Sequence, residues 1–204
     1  MTNLFIGATR QHVGKSTTSL GLIAALLRRA PPSSVAYMKP VGQQHVTVDG
    51  AQIDKDCLLA KEFFGLDCPY PDMSPVLMPR GYTKRFIDGK VDPRQQEAAV
   101  LRAWERLQAA YPNVVVEGTG HMGVGSIVGL DNARVASLLG LDVALVCEGG
   151  LGADRGAAGR RLATDAATRR HLAPARRTRC LYPTRSPMPW RYALRSRPRR
   201  PPTS

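Results

Sequence analysis

The sequence predicts an α/β domain built on an open parallel sheet flanked by helices. Three observations point there. Short apolar runs alternate with stretches of helical periodicity from residue 4 to residue 147. Two of the runs, Val114-Val115-Val116 and DVALVC (142–147), are continuous rather than alternating, as in strands covered on both faces. Glycine-bearing loops follow the runs, and open α/β sheets hold their ligands at the carboxyl ends of the strands.

Leu4-Phe5-Ile6 is the first strand and ends at Gly7. It follows Met1-Thr2-Asn3 without a basic leader, so it reads as a strand rather than a secretory signal. Leu20, Leu22, Ile23, Leu26 and Leu27 then mark a helix; Arg28-Arg29 suits its negative pole and Pro31-Pro32 ends it. A second strand over 34–38 halts at Lys39-Pro40. Residues 51–64 read as a helix with Ile53, Leu58, Leu59, Phe63 and Phe64 near one face, closed by Gly65. The Pro-, Gly- and Asp-rich stretch 66–91 reads as a long ordered loop. Asp92 as N-cap, Pro93 at the first helical position and Gln95 at the third start another helix, with Leu101, Trp104, Leu107 and Tyr111 as its buried stripe. A short helix over 133–139, closed by Gly140, separates the two continuous strands.

Charge divides the chain. The net charge is +13, and fourteen of the 29 Lys and Arg are arginines beyond residue 152, where only Asp154 and Asp165 oppose them. Residues 1–152 are therefore almost neutral and read as one domain, while 153–204 reads as a basic tail. The tail has no sustained apolar period, cannot bury enough surface to offset its ordering entropy, and is expected to be disordered. Four cysteines without metal-type spacing suggest a reducing, cytoplasmic setting. No apolar run approaches the roughly 20 residues that span a bilayer.

The stretch GATRQHVGKSTTSLGL (7–22) carries the chemistry. A phosphate-binding loop reads G-x-x-x-x-G-K-[ST]; here Gly14-Lys15-Ser16 supplies the second half, and Thr9 stands in the place of the first glycine. That is tolerable if Thr9 need not take positive φ, because backbone N–H groups at the helix start do the binding. We assign Thr9, Val13, Gly14, Lys15, Ser16, Thr17 and Gly118 to the nucleotide, with Lys15 at the β- and γ-phosphates. The Ser16 hydroxyl is placed on Mg²⁺. Glu117, ending the strand VVVE, is the second candidate metal ligand, and either Asp54 or Asp56 of QIDKD could supply a third.

These blocks, with YMKPVGQ, DKDCLLAKEF, VVVEGTG and DVALVCEGGLG, resemble the dethiobiotin-synthetase-like P-loop proteins over residues 1–152. The group includes dethiobiotin synthetase, the ATP-binding part of cobyrinic acid a,c-diamide synthase and the N-terminal domain of some phosphate acetyltransferases. The resemblance implies a P-loop NTPase fold and Mg-ATP-dependent activation of a small carboxylate or carbamate as a mixed phosphate anhydride, with a homodimer as one assembly open to it. By motif it puts Lys15 and Ser16 on phosphate and Mg²⁺, Asp56 beside Glu117 in the metal shell, and Lys39 at the reacting oxygens as a catalytic cation. The family's loop also lacks the first glycine.

Two features depart from the family. His121 stands where a further glycine is usual, and nothing in 153–204 resembles the helix, strand and adenine-contacting segment that should follow GGLG. The sheet is accordingly expected to be incomplete, with an unpaired edge. The tail's abrupt onset and its bias to Arg, Ala, Pro and Thr without Lys or Glu favour a shifted reading frame over an arginine-rich arm for nucleic acid. A non-catalytic nucleotide sensor is the remaining alternative for the domain. Arg80, Lys84 and Arg85, near Tyr82 and Phe86, are candidates for clamping an anionic substrate.

Overall fold

The computed structural model describes residues 2–48, 50–147 and 178–181. The expectations for Glu148 onward, other than at 178–181, lie outside the described residues.

Strand β1 (Thr2–Ala8) leads through the phosphate-loop segment into helix α1 (Lys15–Leu27). A single turn of 3₁₀ helix precedes β2 (Val35–Met38). Next come β3 (Val41–Gly42), β4 (His45–Val48), β5 (Ala51–Asp54), α2 (Lys55–Phe64), α3 (Tyr70–Met73), β6 (Val76–Leu77) and α4 (Tyr82–Ile87). Helix α5 (Pro93–Ala110) runs back to β7 (Asn113–Glu117); α6 (Asn132–Leu138), β8 (Asp142–Val146) and β9 (Thr178–Leu181) complete the order.

Five strands form one sheet in the order β2-β7-β1-β8-β9, and every pair is parallel. β1 is central and is buried through Phe5, Ile6 and Ala8; Val114 to Val116 and Val143 to Val146 flank it. The continuous apolar runs are thus the strands covered on both faces, as their pattern requires. A β-carbon at Gly7 would lie 2.6 Å from Met122 Sδ, so the Met122 side chain packs directly against the end of β1.

Four expectations change. Residues 51–54 are not the first turn of a helix but strand β5, paired antiparallel with β4 through His45↔Asp54 and Val48↔Ala51. The helix begins at Lys55, with Asp54 as its N-cap accepting from the Asp56 N–H. Its buried side chains are Cys57 and Ala60, whereas Leu59 and Phe63 are 52% and 74% exposed. The stretch 66–91 is ordered, but holds α3, β6 and α4, with β6 pairing to β3. The buried stripe of α5 is Gln96, Val100, Ala103, Trp104 and Leu107, with Leu101 and Tyr111 only packed against it. Finally, the edge of β8 is not open: β9, from within the predicted tail, pairs with it through Val143↔Thr178 to Val146↔Leu181. A ladder needs only backbone donors and acceptors in register, which an arginine-rich composition does not withhold.

Candidate functional site

The loop between β1 and α1 is anchored at both ends. Thr9 N–H donates to Val146 O at 3.1 Å, and Thr18 N–H to Gly14 O at 2.9 Å begins the helical ladder. The amides of residues 15–17 are the orphan donors of a helix start. Among the described residues, the amides from Gln11 to Thr17 donate no backbone hydrogen bond outside regular structure. They leave a row of N–H groups at the positive end of a 13-residue helix, the arrangement that binds phosphate. Gly14 is the N-cap at φ 94°, a conformation that disfavours any β-carbon. Thr9 does not need positive φ; the only described non-glycine residue that has it is His12, at 63°.

Glu117 comes up beneath this loop. It is fully buried at the end of β7, next to β1 in the sheet. Its Oε1 accepts from Lys15 Nζ at 3.1 Å and from Ser16 Oγ at 2.7 Å, and its Oε2 from the Tyr37 hydroxyl at 2.9 Å. Burial, and then the Glu117 charge, push the Tyr37 phenol well above its ordinary value, so it stays a donor.

A second charged cluster sits at the head of α2. Lys39 Nζ donates to Asp54 Oδ1 at 3.0 Å and also to Asp56 Oδ2. Burial acts to lower the Lys39 pKa, but the charge of Asp54 and the hydrogen bond and charge of Asp56 more than offset it and raise the value. Asp54 is fully buried, and its Oδ1 also caps the Asp56 N–H at 2.9 Å.

Between the two clusters lies a cleft of about 330 Å³. Lys15, Ser16, Lys39 and Asp56 line it together with Arg10, His12, Gln43, Gln44, Lys55 and Thr119. Four cationic side chains against one carboxylate suit a polyanion. The donors Ser16, Asp56 and Glu117 offer hydroxyl and carboxylate oxygens, the hard set that Mg²⁺ takes. Among the described residues no three His, Cys, Asp or Glu side chains form a metal cluster alone, so a bound ion would draw the rest of its shell from phosphate and water.

The structure brings together most residues assigned from the sequence. Gly14, Lys15, Ser16 and Thr17 line the cleft, as do Lys39 and Asp56, while Glu117 lies directly under Lys15 and Ser16. Three nucleotide assignments fall outside the lining. Thr9 is tied to Val146, and Val13 packs against the core. Gly118 spends its N–H on Ile6 O and packs against Phe5 and Asn132, where a β-carbon would come within 2.5 Å of Asn132 Oδ1. Thr119 and Gly120 occupy the cleft wall in its place. His121 is exposed and accepts from Gly123 N–H rather than lining the cleft. Arg80, Lys84 and Arg85 do not line it either: Tyr82 and Phe86 pack inward, turning Lys84 and Arg85 to the surface.

Sequence reasoning missed Tyr37, the buried partner of Glu117, and Asn132, which holds the turn after β7. Asn132 accepts from Thr119 N–H at 2.8 Å and donates to the Thr119 and His121 carbonyls, both at 2.7 Å. No motif spacing marks either residue. The one available signal was a polar tip within an otherwise apolar strand, Val35-Ala36-Tyr37-Met38.

A family profile described as an AAA domain (AAA_26) matches residues 2–176. ATP-dependent dethiobiotin synthetase BioD of Anaeromyxobacter sp. (strain K) is 32% identical over 180 residues, which cover 86% of this chain and 74% of that protein. The chain belongs to the dethiobiotin-synthetase-like P-loop family. Membership implies nucleotide binding at the loop. A probable cobyric acid synthase of Methanoculleus marisnigri is 32% identical over 165 residues, 72% of this chain but 33% of that protein. A phosphate acetyltransferase of Nitratidesulfovibrio vulgaris is 30% identical over 155 residues, covering 72% of this chain and 20% of that enzyme. The chain thus spans a third or less of those two longer relatives. The family match runs past residue 152, where the composition changes. Among the described residues no helix is long and apolar enough to cross a membrane.

Proposed function

We propose that this P-loop domain binds ATP with Mg²⁺ in the cleft and phosphorylates an oxygen of a small carboxylate or carbamate, giving a mixed anhydride and ADP. The observation that carries the proposal is the convergence of Lys15, Ser16 and Glu117, from elements 101 and 102 residues apart, under a row of helix-start amides. Those amides bind the phosphate oxygens and fix the chain of phosphates along the loop. Lys15 leaves Glu117 to reach the β- and γ-phosphates. Ser16, Glu117 and Asp56 would hold Mg²⁺, which when bound neutralises charge on the phosphates. The acceptor oxygen forms its bond to the γ-phosphorus as the bond to the leaving ADP oxygen breaks. Lys39, held at the cleft wall by Asp54, opposes the negative charge that builds on the transferring group.

Mg-ATP binding is tested by thermal shift, since a ligand that binds only the folded state raises the melting temperature. Lys15→Ala is expected to abolish the shift while the unliganded protein still melts cooperatively. Equal shifts in wild type and variant would reject the assignment. Phosphorylation is tested by ADP release across a panel of small carboxylates and carbamates. Stoichiometric binding with no ADP release from any of them would favour a nucleotide sensor over an enzyme.

A further inference from the structure

We propose that Tyr37 is a positioning residue for the metal–nucleotide site, fixing the Glu117 carboxylate so that a single oxygen, Oε1, faces the cleft. This rests on the reading that the cleft takes a Mg-nucleotide. The argument starts from sheet register. Tyr37 pairs with Val115 on the adjacent parallel strand, and Glu117, two residues further along, shares Val115's face. The phenol therefore reaches forward along one face of the sheet to Glu117 Oε2, at 2.9 Å, with Tyr37 1% and Glu117 0% exposed.

The three donors on Glu117 are not equivalent. Lys15 and Ser16 both line the cleft and both have work to do on an incoming ligand, so their bonds to Oε1 are exchangeable. Tyr37 does not line the cleft, and its bond to Oε2 is the one that ligand binding leaves alone. When Lys15 moves to phosphate, a buried carboxylate loses its cation, and the Tyr37 hydroxyl keeps Oε2 satisfied while Oε1 remains pointed at the loop. Phenylalanine would fill the same space but leave Oε2 bare in the interior. The carboxylate could then turn to satisfy that oxygen and lose its aim.

The test uses the full 204-residue chain and the binding of N-methylanthraniloyl-ATP, followed by fluorescence while Mg²⁺ is titrated. Tyr37→Phe is expected to raise the Mg²⁺ midpoint by about tenfold, the scale of one hydrogen bond to a charged group. Nucleotide affinity in EDTA should stay within about twofold of wild type, because the Tyr37 hydroxyl bonds Glu117 and does not line the cleft. In a Glu117→Gln background the same substitution should produce no further change, because Tyr37 acts through that carboxylate. An unmoved Mg²⁺ midpoint, or an equal loss with and without metal, overturns the proposal; the second result would mark Tyr37 as merely structural. Absence of nucleotide binding by the wild type would instead reject the P-loop reading and this role with it. Should Tyr37→Phe fail to fold, 3-fluorotyrosine at position 37 preserves shape and hydroxyl. Its ¹⁹F resonance is expected to shift when Mg²⁺ joins the nucleotide-loaded protein, because the carboxylate that the hydroxyl keeps holding exchanges Lys15 for the metal at Oε1; an unchanged resonance overturns the proposal.

Discussion

The two charged clusters on either side of the cleft are built to opposite ratios. At the end of β7 a single carboxylate, Glu117, serves three donors, Lys15, Ser16 and Tyr37. At the head of α2 a single ammonium, Lys39, serves two carboxylates, Asp54 and Asp56. The first cluster can give up its cation to phosphate and still hold its anion by hydrogen bonds. The second can give up an anion to a metal ion and still hold its cation by the other carboxylate. Each has one inner partner sealed from water, Tyr37 or Asp54, with the rest at the cleft: Lys15 and Ser16 in the first cluster, Asp56 in the second. The protein thus keeps both functional charges paired before a ligand arrives, so a ligand exchanges partners rather than creating charge pairs from nothing. That matters because burying an unpaired charge is costly.

The largest effect comes from removing the shared anion of the first cluster. Glu117→Ala strands the buried Tyr37 hydroxyl and deprives Lys15 of its counter-charge, and is expected to cost about 3 kcal/mol in urea unfolding. A loss near zero would mean that Glu117 is dispensable to the apo fold.

A smaller effect separates the clusters by pH. The Lys39 pKa is raised above the ordinary 10.5 by its carboxylates, and the Tyr37 pKa is raised well above 10.0 by burial and Glu117. Above those ordinary values the unfolded chain releases both protons while the native state retains them, so stability is full below about pH 10 and falls as pH rises toward the native values. Lys39→Met should remove the lysine share of this alkaline loss, and Tyr37→Phe the tyrosine share. The check is the melting temperature measured from pH 9 to 11, and identical slopes in all three proteins would contradict the assignment.

The smallest effect on stability is expected from the outer anion. Asp56→Asn leaves Lys39 paired with the buried Asp54 and should change unfolding free energy by about 0.5 kcal/mol or less, since Asp56 is partly solvated. It should nonetheless weaken the dependence of nucleotide binding on Mg²⁺. A large stability loss with unchanged metal dependence would reverse the roles of Asp54 and Asp56.

Much of this was legible because it is local. Gly14-Lys15-Ser16 between an apolar run and a helical period reads as a helix start with free amides, and VVVE reads as a buried strand ending in an acid. The hairpin of β4 and β5 was not legible. Ala51-Gln52-Ile53-Asp54 fits a helical period as well as a strand, and only pairing with residues 45–48 decides between them. The same misreading hid the division of labour between Asp54, which caps and anchors, and Asp56, which lines the cleft. β9 was missed for a related reason: four residues carry no periodicity to read, and a ladder to β8 selects them by backbone alone.

By itself, then, the chain's order of residues determined the alternation of strand and helix, the phosphate loop, and the chemical types at the site: ammonium, hydroxyl and carboxylate groups at known points along the chain. Which groups meet is set by packing between distant segments. The register of β2 against β7 brings Tyr37 to Glu117, and the turn from β5 into α2 brings two aspartates to Lys39. The reason is physical. Local preferences act within a few residues, whereas partners for buried charges are chosen by packing between segments that the chain holds some 80 residues apart.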